Sequence, residues 1–407
     1  MLYTALEVQR NWMAKAGSLM SLTADMMGHP SNPWAHAKPV KAMRGLFDTV
    51  GHASAHYGKP RFGLTETEVD GIPVRVREEI VDTRAFGSLL RFVREGVEDA
   101  PKLLIVAPMS GHFATLLRGT VTRLLQKHDV YITDWADARD VPVSAGRFGL
   151  DEYIDYVMDW LRLIGPNTHM LAVCQPSVPA LAATALMGAA KDPCRPKSLT
   201  MMGGPIDTRE GQTEVNRMSH QRPLAWFKQF AIHTVPANYK GAGRKVYPGF
   251  MQLSAFMSMN LANHVHQHFT LARAIYHDHH DGEHTIKNFY AEYRAVCDMT
   301  AEFYIETVDK VFQRHLLPKG ELTHRGTRVD LGAITDTAIL AVEGGRDDIS
   351  GVGQTKSALI GTPNLPDSHK RYFLCELAGH YGIFNGTRWN HDVAPVVEAF
   401  IETFETA

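Results

Sequence analysis

The sequence predicts an α/β protein with a mostly parallel central sheet, a helical extension before it and a helical block inserted late in it. Three observations carry this. Continuous apolar runs such as KLLIVAP (102–108) have the composition of strands buried on both faces. Such runs alternate with helical stretches of ten or more residues up to position 204 and again from 336, as βαβ units require. Between Pro205 and His324 the alternation stops, and a largely helical segment rich in aromatic and Met residues intervenes.

Residues 3–27 place Leu6, Val8, Trp12, Leu19, Leu22 and Met26 at roughly helical spacing. HPSNPWAHAKP interrupts the pattern with three prolines, and a second helix is expected over about Lys41–Tyr57. Residues 1–60 thus form a helical extension. Three roles are open to it: a packing arm, a contact in a homo-oligomer, or a surface for something apolar. TETEVDGIPVRVREEIV alternates and turns at Asp70-Gly71, as a hairpin does. After KLLIVAP come a helical segment (FATLLRGTVTRLLQKH), a strand (DVYITDW), a helix (DEYIDYVMDWLRLIG), a strand ending at Cys174, an Ala-rich helix and the strand SLTMMGG. Residues 61–204 are therefore the first part of the core. The block 205–324 carries Trp226, Phe230, Tyr239, Phe250 and Phe256 and has the position of a cap, or lid, dense enough in aromatics to suit an apolar or polymeric substrate. The α/β pattern resumes in DTAILAVEGG, a helix near Gly353–Ile360, the strand KRYFLCEL and a last helix, Ala394–Thr406, so 325–407 completes the core.

Composition narrows the function. With 44% hydrophobic and 21% charged residues the chain can bury a sizeable core, and a net charge of −2 gives no basis for a nucleic-acid surface or a polybasic membrane anchor. Four cysteines without CxxC spacing point to a reducing compartment. The N-terminus lacks the layout of a secretion signal, and no run approaches the roughly 18 apolar residues of a membrane span. A cytoplasmic protein is expected.

The chemistry centres on HMLAVCQPSVPA, where an apolar strand gives way at once to a helix. A nucleophile at such a turn is the nucleophile elbow of the α/β-hydrolase fold. Ala172 suits the position two before Cys174; Pro176, two after it, departs from the usual Gly and is acceptable in a first helical turn, where no N–H is needed. In this fold an acid follows a late strand and a histidine follows the last one. AILAVEGGRDDIS places Asp347 and Asp348 after a strand and a Gly-Gly turn, and FLCELAGHYGIF places His380 just past the next. Both aspartates are open as the acid. A free thiol is mostly protonated near neutral pH, so an adjacent imidazole and a helix N-terminus are expected to activate Cys174. Backbone N–H groups of Gln175 and of Met109, with Ser110 next in line, are the expected oxyanion donors.

With these residues in place, the chain resembles the intracellular poly(3-hydroxybutyrate) depolymerases, relatives of the polyhydroxyalkanoate synthases. The resemblance runs over nearly the whole length: the MLYTALEVQR start, VCQPSVPALAA with Cys in place of Ser, GGPIDTR, EGGRDDISGVGQT and GHYGIFNG. It implies a Cys174–His380–Asp347 triad, the acid falling on Asp347 because Gly344-Gly345-Arg346-Asp347 fits the Gly-x-x-Asp of hydrolases, with Asp348 the alternative, and a cytoplasmic enzyme on storage granules. It further implies that the enzyme cleaves polymer esters to 3-hydroxybutyrate monomer or oligomers. The nearest rival is an acyltransferase, synthase-like or passing the acyl group to coenzyme A. Synthases generally carry Gly-x-Cys-x-Gly, whereas this chain reads Ala-Val-Cys-Gln-Pro. A granule-coating protein that merely kept the fold would not need the triad, and a dinucleotide enzyme would need a GxGxxG after a strand.

The ester chemistry calls for no cofactor and no metal. HVHQH (264–268) and HDHHDGEH (277–284) nonetheless invite a metal reading, with His264 and His268 at i, i+4. No HExxH accompanies them, and a solvated or hydrogen-bonded cap surface is expected.

Overall fold

The computed structural model describes residues 2–259 and 261–405. Two helices lead the chain, α1 (Leu2–Gly28) and α2 (Lys38–Ser54). The core strands then follow: β1 (Glu66–Val69), β2 (Ile72–Arg84), β3 (Gly87–Arg94), β4 (Lys102–Val106), β5 (Asp129–Trp135), β6 (Thr168–Val173) and β7 (Ser198–Met202). Between them lie helices α3 (Arg118–Leu124), α4 (Leu150–Ile164) and α5 (Ser177–Ala189). The expected long helix over 113–128 is shorter than its pattern suggested: a 3₁₀ turn, Ala114–Leu117, precedes the two turns of α3.

Among the described residues, the segment between β7 and the next core strand holds the α-helices α6 (Glu214–Gln221), α7 (Leu224–Phe230), α8 (Gly249–Met259), α9 (Leu261–Tyr276), α10 (His280–Arg294) and α11 (Ala301–Glu306), the last running on into a π-helical stretch at Thr307–Gln313. It is less purely helical than the sequence suggested. Strands β8 (His233–Thr234), β9 (Lys245–Tyr247) and β10 (Met299–Thr300) form an antiparallel sheet, and β11 (Thr323–His324) pairs with β12 (Thr327–Arg328). Strands of two or three residues are too short to leave a period in the sequence. The core resumes with β13 (Ala338–Gly344) and β14 (Lys370–Cys375) and closes on the helix Ala394–Glu405; Thr406 lies outside the described residues.

Among the described residues the main sheet has nine strands in the order β1-β2-β3-β5-β4-β6-β7-β13-β14. β1 to β5 pair antiparallel along the edge, and from β5 through β14 every neighbour is parallel. This is the α/β-hydrolase fold. Strand β6 is buried along its whole length, and successive residues serve opposite faces. Met170 and Ala172 pack with α4 and α5, and Leu171 and Val173 pack with α3 and the C-terminal helix.

A buried polar network fastens α1 to the rest. Tyr3 OH donates to Asp298 Oδ2 at 2.6 Å, and the Asp298 N–H donates to Asp137 Oδ1 at 3.0 Å. Arg139 pairs with Asp137 at 3.0 Å, and Tyr239 OH donates to Glu7 Oε2 at 2.7 Å.

Candidate active site

Cys174 occupies the turn between β6 and α5 with φ +67°, a left-handed conformation that disfavours any side chain. Its N–H donates to Met202 O at 2.7 Å, which ties the turn to β7. Pro176 has φ −60° and ψ −13°, already helical, so its missing N–H falls where α5 has no use for one. The small residue that the tight turn needs comes from elsewhere in the chain. Gly204, just past β7, sits so close beneath the turn that a Cβ on it would lie 2.1 Å from Ser177 Oγ and 3.2 Å from Cys174 O. The departure at Pro176 is thus absorbed by a neighbouring strand.

Gly344 and Gly345 turn the chain out of β13 and bring Asp347 toward His380, which follows β14. Asp347 Oδ2 lies 2.7 Å from His380 Nδ1, while Oδ1 accepts the N–H groups of Ile349 and Ser350 at 2.9 and 2.8 Å. Both side chains are almost wholly buried. Nδ1 is committed to Asp347, which leaves Nε2 for another partner, and Cys174 is near enough to act on the charge of the same ring. Burial works against the imidazolium, but the Asp347 carboxylate and Cys174 outweigh it and hold the His380 pKa well above the ordinary histidine value. The three residues expected from strand order meet here. The carboxylate that touches the ring is that of Asp347; Asp348 lines a neighbouring cavity instead.

That cavity, of about 420 Å³, opens between α9, α10 and the loops carrying Asp348 and Tyr381. Its walls include Phe256, Phe289, Tyr290, Tyr293 and Tyr381. Tyr381 links it to the site, standing edge-on to His380 at 5.9 Å and to Tyr293 at 5.5 Å between ring centroids. Of the expected oxyanion donors, the Met109 N–H donates to Gln175 Oε1 at 3.2 Å. The side chain of Gln175 was not anticipated. The histidines of 264–268 make local bonds: His264 Nδ1 lies 2.9 Å from Tyr290 OH, and His268 Nδ1 lies 2.7 Å from His264 O.

The model of the PHB de-polymerase C-terminus matches residues 203–405, a stretch that holds both Asp347 and His380. The chain belongs to the PHB depolymerase family. No curated protein matches it. Among solved structures, this depolymerase-family chain is similar to the thioesterase domain from the curacin biosynthetic pathway (9% identical, TM-score 0.43, 80% of this chain and 99% of that one). It is also similar to a thermophilic esterase from Thermogutta terrifontis (13% identical, TM-score 0.40, 84% and 98%). A third is the 2-hydroxy-6-oxo-6-phenylhexa-2,4-dienoate hydrolase from Rhodococcus sp. strain RHA1 (11% identical, TM-score 0.43, 81% and 99%). Likeness at these values carries no argument about the chemistry of the depolymerase-family chain.

Proposed function

We propose that this hydrolase cleaves ester bonds of poly(3-hydroxybutyrate) through Cys174, His380 and Asp347. The observation that carries the reading is the 2.7 Å bond between His380 Nδ1 and Asp347, on an imidazole whose charge Cys174 also supports. His380 Nε2 takes the thiol proton as Sγ attacks the ester carbonyl carbon. The tetrahedral oxyanion collapses, the C–O bond breaks, and the alkoxide leaves with the proton from His380. Water then gives a proton to His380 and attacks the thioester; the C–S bond breaks and the thiol is restored. Asp347 holds the ring in the tautomer this sequence needs and stabilises the imidazolium. The N–H groups of Gln175 and Met109 hold the oxyanion.

The polymer reading rests on the family and on the aromatic cavity beside the triad. We place the enzyme in the cytoplasm at storage granules, with segment 205–324 as a cap that forms an apolar entrance together with α1 and α2. In support, Trp12, Met26, Trp34 and Phe269 are 71, 73, 69 and 72% exposed. No described helix is long and apolar enough to cross a membrane.

The test compares the wild type with Cys174→Ala on amorphous poly(3-hydroxybutyrate) granules, with and without coenzyme A. Release of 3-hydroxybutyrate in buffer alone, lost in the variant, is the expected result. Release only with coenzyme A would make the protein an acyltransferase, and full activity in Cys174→Ala would refute the thiol mechanism.

A further inference from the structure

We propose that the side chain of Gln175 masks the oxyanion site of the free enzyme and swings away when an ester carbonyl enters. The inference rests on the Cys174 esterase reading and deepens it. Met109 has a single N–H, and Gln175 Oε1 takes it at 3.2 Å. That oxygen belongs to the residue directly after the nucleophile, whose own N–H is the second donor of the same site. The bond polarity fixes the orientation of the amide, because an N–H partner requires the oxygen and not the NH₂.

The mask is the same kind of acceptor as the group it excludes. A neutral amide oxygen is replaced by a neutral ester oxygen, one hydrogen bond for another, so the ground-state carbonyl gains little on entering. The developing oxyanion is different. Its charge-assisted bond to Met109 is stronger than any the amide can offer. Gln175 therefore weakens substrate binding in the ground state by the worth of one neutral hydrogen bond, about two- to tenfold. It leaves the stabilisation of the charged intermediate to the two N–H groups.

Gln175→Met keeps the length of the side chain and removes the acceptor. Turnover of a soluble 3-hydroxybutyrate dimer ester is measured for wild type and Gln175→Met, with Cys174→Ala as the blank. The expected result is a KM about two- to tenfold lower and a kcat/KM higher by the same factor. A fall in kcat at constant KM would mean that the side chain positions the Met109 loop, and this would overturn the mask; so would two unchanged constants. In ¹⁵N-labelled wild type the Met109 amide is expected to be protected from solvent exchange, and rapid exchange would also overturn the proposal without recourse to any variant. Turnover that survives in Cys174→Ala overturns the esterase reading itself, a failure seen in a different variant and so distinguishable from the others.

Discussion

Thr355 clamps Gly204: its Oγ1 accepts the Gly204 N–H at 2.7 Å and donates to the Gly204 carbonyl at 3.0 Å. Thr355 is held in turn by Glu343, a fully buried residue on β13. Glu343 Oε1 accepts the N–H groups of Thr355 and Lys356 at 2.7 and 2.9 Å, and Oε2 accepts the Gly353 N–H and the Tyr372 hydroxyl at 2.9 and 2.8 Å. Thr355→Val keeps the shape and strands a buried N–H, which costs about 1–3 kcal/mol. Urea unfolding should shift to a lower midpoint and turnover should fall, and Thr355→Ser should restore much of both.

The two adjacent aspartates should behave very differently. Asp347→Asn removes the charge that orients and stabilises protonated His380, and turnover is expected to drop on the order of 10²–10⁴-fold. Asp348→Asn alters only the cavity wall and should act mainly on KM. Steady-state constants for the two variants, measured side by side, check this.

Stability should fall with acid in a defined window. Burial lowers the pKa of His112 and His128 to about 4 from an ordinary 6.5. As pH drops below 6.5 the unfolded chain takes up these protons and the folded one does not, so stability is complete above 6.5 and is lost toward pH 4. Each ring accounts for roughly 3 kcal/mol across that range. His380 runs the other way, its share complete below 6.5 and lost as pH climbs through its raised folded value. Urea midpoints at pH 7, 5.5 and 4.5 test the trend. His128→Gln, which keeps a donor for Leu124 O, should flatten the slope.

Granule attack should separate from ester chemistry. Replacing Trp12, Trp34 and Phe269 together by Ser is expected to reduce granule binding and granule turnover about tenfold or more, since each exposes an apolar side chain worth roughly 1.5–3 kcal/mol when buried. Hydrolysis of a soluble ester should stay close to wild type. Equal granule activity in the triple variant would remove α1, the turn between α1 and α2, and α9 from polymer recognition.

The parallel half of the sheet was legible because β4, β6, β7 and β13 are buried on both faces and read as mostly apolar runs. β3 was not recognised. Its Arg91 and Arg94 interrupt the pattern; Arg91 pairs with Asp129 and Arg94 donates to the Gln126 carbonyl, partners that no local window contains. At the site, Cys174 and His380 could be placed by strand order. Asp347 and Asp348 could not be told apart, since the choice depends on how the loop after β13 bonds to its own amides. Gly204 and Thr355 lie in the quoted GGPIDTR and EGGRDDISGVGQT segments, but their role exists only where two strands meet.

The bond between Tyr3 and Asp298 joins positions 295 residues apart. On the ribosome, where synthesis runs at about 5–20 residues per second, α1 waits roughly 15–60 s for its partner to be made. Through that interval Tyr3 and Glu7 on α1 lack Asp298 and Tyr239, the partners that hold them in the finished protein. Closing so long a loop is also entropically unfavourable until the core has already drawn the ends together. A helix made well before its anchor is thus among the last to be fixed.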